Sequence, residues 1–257
     1  MDLSRLARHP GLKGKTVFIT GGGSGIGAAI VESFLDQGCK VAFVDIDEST
    51  SVKLCEALQA QYGRAPLFIP CDIKNVSALQ AAIAKAQREL GDIGVLVNNA
   101  ANDMRHEWQA VTPAYWDERM AINERPMFFA IQAVAPMMQR LGGGSIVNFG
   151  SISWKIGVGG MPAYTTAKAG VHGLTRGMAR DLGQSGIRVN TVLPGWVMTE
   201  RQVALWVDDA ANKLIDQQQC LKDRVMPLDL ARMTLFLASD DAKMCSGQEF
   251  TVDGGWA

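Results

Sequence analysis

The chain has 257 residues, with 25 basic and 26 acidic side chains. It can bury a substantial core, and its balanced charge attracts neither nucleic acid nor an anionic membrane, so we expect neither partner. No apolar run is long enough to span a bilayer, and residues 1–15 lack the apolar core of a signal peptide. The five cysteines form no Cys-x-x-Cys pair and are expected to be reduced, buried thiols of a cytoplasmic protein. The three histidines have no metal-ligand spacing, so no metal site is predicted.

The first predicted unit is a strand, a glycine loop and a helix. Residues 16–20 are an apolar, β-branched run of strand length, and 28–36 has helical spacing up to a stop at Gly38. Glycines let the backbone approach a pyrophosphate, and the amides at the start of the helix face the anion. A plain tight turn is the alternative interpretation. The predicted phosphate-binding residues are Gly21, Gly23, Ser24, Gly25, Ile26 and Gly27.

Asp45 follows the second predicted strand, 40–44, where an adenosine ribose is held in such units. A carboxylate accepts hydrogen bonds from the ribose hydroxyls and repels a 2′-phosphate. No arginine or lysine lies in the glycine loop or beside Asp45. We therefore predict NAD as the preferred cofactor, with NADP possible, and include Ile46 in this site. The alternative is that Asp45 only caps a helix predicted over 48–61.

The next elements complete a repeated strand and helix pattern. A third strand over 67–71 is followed by Asp72 and Ile73, which are placed to contact an adenine edge. An amphipathic helix over 76–90 and a fourth strand over 95–98 come next. This alternation predicts an α/β, single-domain, doubly wound (Rossmann) parallel sheet over 1–257, with helices on both faces. Such sheets bind ligands at the carboxyl ends of their strands, where Asn98, Asn99 and Ala100 lie.

The connector over 102–118 is rich in side-chain donors and aromatic rings. Its polar and aromatic residues are candidates for the wall of a sugar site, and the alternative is a solvated loop with a helix cap at Thr112. A helix is predicted to carry Asn123 near its middle and to run past Pro126 to about residue 141. A fifth strand over 145–150 then delivers Ser151 to the carboxyl edge. The candidate wall residues are Asn102, Asp103, Arg105, His106 and Trp108.

Ser151, Tyr164 and Lys168 offer a hydroxyl, a phenol and an ammonium. Residues at i and i+4, such as Tyr164 and Lys168, point to the same side of a helix. A cation about 5 Å from a phenol, at an effective dielectric of ~20, favours the phenolate by roughly 3 kcal/mol. That lowers the pKa of a tyrosine by about two units and makes it a usable general base. Such pairs also arise by chance on solvated helices, which is the alternative.

The remaining elements return the chain to the same edge. The helix of Tyr164 is predicted to reach about residue 182, and a sixth strand over 187–193 leads to Pro194, Gly195, Trp196, Val197 and Thr199. These residues are placed to hold a nicotinamide carboxamide and a substrate. A polar helical segment over 200–222 suggests a substrate lid spanning 196–222, with an ordinary surface helix as the alternative. A helix over 227–238 and a strand over 248–252 complete the chain.

Together these residues make the chain resemble the short-chain dehydrogenase/reductase family along almost its whole length. The run TGGGSGIG at 20–27 is similar to the family's cofactor loop, and Ser151 precedes Tyr164 by 13 positions, as the family's spacing requires. A departure is Ala101, where the family usually has glycine, and its methyl group is expected to crowd the cofactor slightly. The other matching positions are Asp72, Asn98, Asn99, Ala100, Asn123, Lys168, Pro194 and Gly195.

The resemblance implies a role for each catalytic residue. Tyr164 is the acid/base, and Lys168 lowers its pKa and holds the nicotinamide ribose. Ser151 hydrogen-bonds the reacting oxygen, while Asn123 helps seat a water that connects Lys168 with solvent. A hydride leaves the substrate carbon for the nicotinamide as the proton passes to Tyr164. The resemblance also implies a homotetramer, through the long helices near 115–141 and 162–182.

Within the family, the stretches 102–106, 115–119, 148–154 and 219–222 are similar to bacterial aldose 1-dehydrogenases of the D-xylose, L-arabinose and galactose type. This similarity implies oxidation of a pentose or hexose at C1 to the aldonolactone. The alternatives are an enzyme for another secondary alcohol or ketone, of 3-oxoacyl or steroid type, and a dinucleotide-binding sensor without turnover. The predicted substrate-binding residues are Asn102, Arg105, His106, Ser151, Ser153, Trp154, Tyr164 and Trp196.

Overall fold

The computed structural model describes residues 7–257, and the predictions that concern residues 1–6 lie outside this range. Within it, parallel strands form one seven-stranded sheet in the order β3-β2-β1-β4-β5-β6-β7. The strands are β1 (Thr16–Thr20), β2 (Lys40–Asp45), β3 (Leu67–Pro70), β4 (Ile93–Asn98), β5 (Gly144–Phe149), β6 (Ile187–Pro194) and β7 (Glu249–Val252).

Helices cover both faces of the sheet. Apolar side chains of α1 (Gly25–Asp36), α2 (Glu48–Tyr62) and α9 (Pro227–Ala238) pack on one face, and those of α3 (Val76–Leu90), α5 (Arg125–Arg140) and α6 (Pro162–Leu182) pack on the other. Because both faces are covered, β1, β4 and most of β5 are buried along their length. The predicted doubly wound fold is confirmed. The remaining helices are α4 (Pro113–Asn123), α7 (Glu200–Trp206) and α8 (Asp209–Gln218).

The helix expected to carry Asn123 near its middle is two helices, so that prediction was wrong. α4 ends at Asn123, Glu124 has non-helical torsion angles (φ −137°, ψ −57°), and α5 begins at Arg125. Pro126 explains the break, because proline has no N–H for the helical ladder and its ring collides with the carbonyl four residues earlier. The break places Asn123 at a helix end, close to the loop that follows β4.

Two further predictions differ from the structure in detail. The segment 200–222 contains two short helices, α7 and α8, rather than one. All five cysteines are free, but they are not all buried, since Cys220 is exposed. In the range 7–257, no helix is long and apolar enough to cross a membrane.

Candidate active site

A cavity of about 980 Å³ opens at the carboxyl edge of the sheet. It lies where β1 separates β2 from β4, the position at which the order of the strands reverses. Loops after β1, β2, β3, β4, β5 and β6 all contribute to its wall. Of the predicted cofactor residues, the wall contains Gly21, Ser24, Gly25, Ile26, Gly27, Asp45, Ile46, Asp72, Ile73, Asn99, Ala100, Tyr164, Lys168, Pro194, Gly195, Val197 and Thr199.

The glycine loop after β1 is packed too tightly for side chains. A Cβ on Gly27 would lie 1.8 Å from the carbonyl oxygen of Gly21, and Gly21 itself has φ +67°. Asn99 fixes the loop from the neighbouring strand, because its Nδ2 donates to the carbonyls of Thr20 (3.1 Å) and Gly21 (2.8 Å). Ser24 precedes α1 without a capping bond from its side chain. The start of α1 therefore faces the cavity with the amides that suit a pyrophosphate.

Asp45 is held at the end of β2 by backbone amides. Its Oδ2 accepts from the Gly23 N–H at 2.8 Å, and its Oδ1 accepts from the Asp47 N–H at 3.0 Å. A carboxylate has about four acceptor positions, so these bonds leave about two for hydroxyl groups in the cavity. Gly23 does not line the cavity, and its contribution is this bond to Asp45. The glycine loop and Asp45 therefore fit the pyrophosphate and a diol of a dinucleotide.

Ser151, Tyr164 and Lys168 are brought together, as the sequence predicts. Ser151 follows β5 after one residue, and the other two lie on the first turns of α6. The Lys168 Nζ donates to the carbonyl of Phe149 at 2.7 Å and lies 5.7 Å from the centre of the Tyr164 ring. Both Tyr164 and Lys168 line the wall of the cavity, although Lys168 is only 1% exposed.

The surroundings of this pair change both pKa values. The pKa of Tyr164 is raised, whereas the sequence predicted that it would be lowered. Burial raises the pKa of Tyr164, the Asp103 carboxylate raises it further, and a hydrogen bond from Ser151 and the charge of Arg201 lower it. Burial also lowers the pKa of Lys168 to about 7, with Asp103 acting in the opposite direction. Burial removes both Tyr164 and Lys168 from water, and its effect on their pKa values is larger than the Coulomb attraction between phenolate and ammonium.

A chain of buried polar side chains sets the position of α6 on the sheet. The Asn98 Nδ2 donates to the Asn148 Oδ1 at 2.9 Å, and the Asn148 Nδ2 donates to the Thr175 Oγ1 at 3.0 Å. Thr191 on β6 then bonds the same Thr175 hydroxyl at 2.8 Å. Asn98, a predicted cofactor residue, therefore lies inside the sheet rather than on the cavity wall, and it helps to fix the helix of Tyr164.

Asn123 also lies outside the cavity wall and is fully buried. Its Oδ1 accepts from the Asn102 N–H at 2.8 Å, and its Nδ2 donates to the carbonyls of Asn102 (3.2 Å) and Arg119 (3.0 Å). This side chain therefore fixes the loop after β4 against the end of α4.

The predicted substrate residues divide into two groups. Asn102, Arg105, Ser151, Ser153, Tyr164 and Trp196 line the cavity. The Ser153 hydroxyl and the Trp196 indole N–H are buried and have no hydrogen-bond partner among the described residues. Because both residues line the cavity, a polar ligand that reached either atom would supply the missing partner.

The structure does not bring His106 and Trp154 to the cavity. The His106 Nδ1 lies 3.0 Å from the Tyr115 hydroxyl, and its Nε2 accepts from the Ala163 N–H at 3.4 Å. The Trp154 indole donates to His172, and Trp154 is not part of the cavity wall. Trp108 is 70% exposed.

Many residues of the wall were not among the predicted site residues, and three of these bear on the chemistry of the site. Trp256 lies 6.3 Å from Trp196 between ring centres, and sequence distance gave no signal for it. Arg201 and Gln202 on α7 both bond the Asp103 carboxylate, the latter at 2.6 Å. The sequence indicated these two residues only through their position in the segment 196–222, which was predicted to be a substrate lid. No cluster of potential metal ligands occurs among residues 7–257.

Comparison with known proteins assigns these features to a family. A family model described as enoyl-(acyl carrier protein) reductase matches residues 21–257. The chain is 50% identical over 249 residues to a probable galactose dehydrogenase of Rhizobium meliloti, covering 97% of each chain. It is 49% identical over 253 residues to a D-xylose 1-dehydrogenase of Caulobacter vibrioides, covering 97% of this chain and 98% of the relative.

Solved structures of other proteins support the same family assignment. A short-chain type dehydrogenase/reductase from Mycobacterium ulcerans has a TM-score of 0.90 at 28% identity, covering 95% of this chain and 90% of the other. A 7α-hydroxysteroid dehydrogenase complexed with NADH and 7-oxo glycochenodeoxycholic acid has a TM-score of 0.91 at 32% identity, covering 100% and 98%. The fold, the ordered site and these similarities show that the chain is an oxidoreductase of the short-chain dehydrogenase/reductase family.

Proposed function

We propose that this enzyme oxidises an aldose, such as L-arabinose, D-galactose or D-xylose, at C1 to the aldonolactone, with NAD as the preferred cofactor. The observation that carries the proposal is the polar substrate side of the cavity, where the unpaired Ser153 hydroxyl lies two residues from Ser151. Hydroxyl-rich ligands suit such groups, because each unpaired donor or acceptor gains a partner. Sequence identities of 50% and 49% to two sugar dehydrogenases support the same substrate class.

The residues of the site have distinct roles in this proposal. Tyr164 removes the proton from the anomeric hydroxyl, and the Ser151 hydroxyl holds the same oxygen in place. Lys168, fixed by the Phe149 carbonyl, provides a donor for a ribose hydroxyl, and in its protonated form it adds positive charge beside the phenol. Asn123 holds the loop of Asn102 next to this centre. A bound nicotinamide ring would supply the hydride acceptor and, when oxidised, a positive charge that favours the phenolate.

NAD is favoured over NADP by the ribose end of the cavity. Asp45 is directed there by two amide donors, and its charge would oppose a 2′-phosphate. Lys74 is the nearby cation on the wall, but it is paired with Asp72 at 3.7 Å and with Glu118 at 3.1 Å. The adenine end therefore has no cation without an acidic partner among these wall residues.

A second candidate is oxidation of a secondary alcohol on an apolar carbon skeleton. It is favoured by the apolar side chains in the wall, Ile156, Val158, Met161 and Leu214. The wall also contains the polar residues Asn102, Asp103 and Arg201. An apolar skeleton packed against them would remove water from these groups without adding hydrogen bonds.

We also propose a cytoplasmic homotetramer. The free cysteines support a reducing compartment. Trp116 on α4 and Phe128 on α5 are 38% and 41% exposed, and both lie on the helices that the family resemblance places at subunit contacts. Light scattering at several concentrations would measure the mass of the assembly, and a monomer would contradict this part of the proposal.

The decisive experiment measures nicotinamide reduction with NAD or NADP against a panel of pentoses and hexoses, with a hydroxysteroid and a 3-hydroxyacyl thioester as the other arm. We expect turnover with one stereochemical set of sugars and formation of a lactone that hydrolyses to the aldonate. Turnover confined to the steroid or acyl arm would overturn the aldose assignment and leave the dehydrogenase.

A further inference from the structure

A polar cluster around the buried ring of His172 lies next to the short turn that follows Ser151. We call Trp154, Lys155, His172 and Glu249 the His172 cluster. The Trp154 Nε1 donates to the His172 Nε2 at 2.9 Å, the His172 Nδ1 bonds the Glu249 Oε1, and Lys155 Nζ lies 2.7 Å from the Glu249 Oε2. His172 is 8% exposed and lies on α6 one turn beyond Lys168, while Glu249 begins β7. The cluster therefore connects the helix of the catalytic pair with the last strand of the sheet.

The partners of His172 fix its protonation and its tautomer. An indole N–H is a donor only, so the Nε2 of His172 has to accept and carries no proton. A carboxylate at Nδ1 is an acceptor, so the proton of the ring is at Nδ1. Burial raises the pKa of Glu249, but bonds to Lys155 and His172 outweigh it and hold the pKa below its usual value. Glu249 is thus ionised and able to accept from the imidazole.

The ring of His172 is also in contact with the backbone that leads to Ser151. A Cβ on Gly150 would lie 3.3 Å from the His172 Nε2, so the ring packs directly on this glycine. Trp154 ends the short 3-10 turn that starts after Ser151. Within that turn, the Ser153 N–H donates to the Ser151 Oγ at 3.1 Å. A hydroxyl that accepts this bond directs its own proton elsewhere, towards the Tyr164 side of the cavity.

We propose that His172, in its neutral Nδ1–H form, is a positioning residue for the dehydrogenase reaction. It holds Trp154, and through Trp154 it fixes the turn that orients the hydroxyls of Ser151 and Ser153. Glu249 and Lys155 hold the imidazole in that tautomer. Trp154 acts in this arrangement through its indole N–H and not as a stacking surface for substrate. The proposal rests on the dehydrogenase chemistry and does not depend on the substrate being a sugar.

The first test is nitrogen NMR of the ¹⁵N-histidine-labelled protein without substrate. We expect the His172 side chain to show a protonated Nδ1 and an unprotonated Nε2, assigned by comparison with His172→Phe. In Trp154→Phe, which keeps a ring but removes the donor, the Nε2 resonance should move. An Nε2–H tautomer or an imidazolium in the wild-type protein at neutral pH would overturn the proposal. This measurement remains decisive whatever the enzyme oxidises.

The second test is kinetic and uses the best substrate of the panel. Trp154→Phe and His172→Phe should each lower kcat between about 10-fold and 100-fold, because a displaced catalytic hydroxyl slows the chemical step. KM should change little, and the isotope effect with substrate deuterated at the reacting carbon should rise. His172→Gln should retain more activity than His172→Phe, since an amide oxygen can accept from Trp154.

His9 provides a matched control. Its Nδ1 lies 2.8 Å from the Asp241 Oδ2, and its side chain is 10% exposed, as is that of His172. His9→Phe removes a histidine–carboxylate pair whose imidazole is as buried as that of His172 and which has no link to the cavity. In this variant, kcat and the isotope effect should stay at wild-type values. Wild-type kcat in both folded Trp154→Phe and His172→Phe proteins would show that the cluster is structural only.

Discussion

The phenol of Tyr164 is the group whose protonation decides whether the site can accept a proton from an alcohol. It lies on the cavity wall, while the ammonium of Lys168 is buried beneath it and bonded to a backbone carbonyl. Burial opposes charge on both groups. A permanent ion pair between Tyr164 and Lys168 is therefore unfavourable. The pair is suited to exchange a proton when an oxidised, positively charged nicotinamide is bound beside it.

Replacing Tyr164 by phenylalanine removes this proton acceptor and little else. We expect turnover to fall at least roughly 100-fold, as loss of a general base does. NAD binding, measured by fluorescence titration, should persist because Asp45 and the glycine loop are untouched. Substantial residual turnover in this variant would remove Tyr164 from its role.

Asp45→Ala tests the ribose end of the site. The variant loses a charged acceptor, which should weaken NAD binding roughly 10-fold to 100-fold, and it also loses the repulsion of a 2′-phosphate. The ratio of kcat/KM for NADP to that for NAD should therefore rise. Asp47→Ala, a carboxylate two positions away that caps α2 through Thr50, is the control and should leave the ratio unchanged.

Residues in short, ordered motifs were predictable, and those that depend on long-range contacts were not. The glycine loop, Asp45 and the Tyr164–Lys168 pair are each defined by local spacing, and the structure places them together. Trp256 and Glu249 belong to the last strand and the residues after it, and nothing in their local sequence indicates a cavity or an imidazole. Trp154 shows the opposite error, because an aromatic residue beside a serine suggested substrate contact and its indole N–H instead has a partner inside the protein.

At the scale of elements, α7 is connected to the loop after β4 across the mouth of the cavity. Arg201 and Gln202 both bond Asp103, and the Arg105 guanidinium lies 4.5 Å from the centre of the Trp206 ring. These contacts join two segments that each follow a strand at the carboxyl edge. They support the predicted lid over 196–222, which stays a proposal, and they identify Asp103 and Arg201 as its contact points.

These two charges should move the pH dependence of oxidation in opposite directions. Oxidation requires deprotonated Tyr164, so the rate falls as the pH drops through its pKa. Asp103 raises that pKa and Arg201 lowers it. Asp103→Asn should therefore shift the acid limb of kcat/KM to lower pH, and Arg201→Gln should shift it to higher pH.

The measurement is kcat/KM for the best substrate over a pH series, with Arg224→Gln as control. Arg224 forms a similar ion pair with Asp216 at 2.6 Å on the outer side of α8. Shifts of the same sign in Asp103→Asn and Arg201→Gln would contradict the assigned electrostatic roles.

Sequence patterns predict the ends of some helices and strands but not of others. β1 and α3 were predicted to the residue, and α9 was predicted closely, because each is bounded by clear turn or proline signals. The single helix through Asn123 was wrong, because apolar periodicity continues across Pro126 and conceals the break. Backbone geometry around one proline decided the position of a predicted catalytic residue.

At the scale of the molecule, one sheet carries both the nucleotide side and the substrate side of the site. The protein should therefore unfold in a single thermal transition, and a ligand of the native state should stabilise all of it. NAD at 100 times its Kd should add about 2.7 kcal/mol, which for a chain of this size raises Tm by about 5 °C or more.

Differential scanning calorimetry with NAD and with NADP would check this expectation. Tyr164→Phe should show a similar shift with NAD, and Asp45→Ala a smaller one. Two separate transitions, or a shift confined to one part of the melting curve, would contradict a single cooperative unit.

The wall of the cavity extends from Gly21 to Trp256, and Glu249 reaches back to the helix of the catalytic pair. During synthesis on the ribosome, the nucleotide half of the sheet emerges long before the strand that holds the imidazole. Because the sheet folds as one cooperative unit, a nascent chain cannot complete the cavity until β7 and Trp256 have left the exit tunnel. Translation thus delays the catalytic centre until the strand that carries Glu249 joins the sheet.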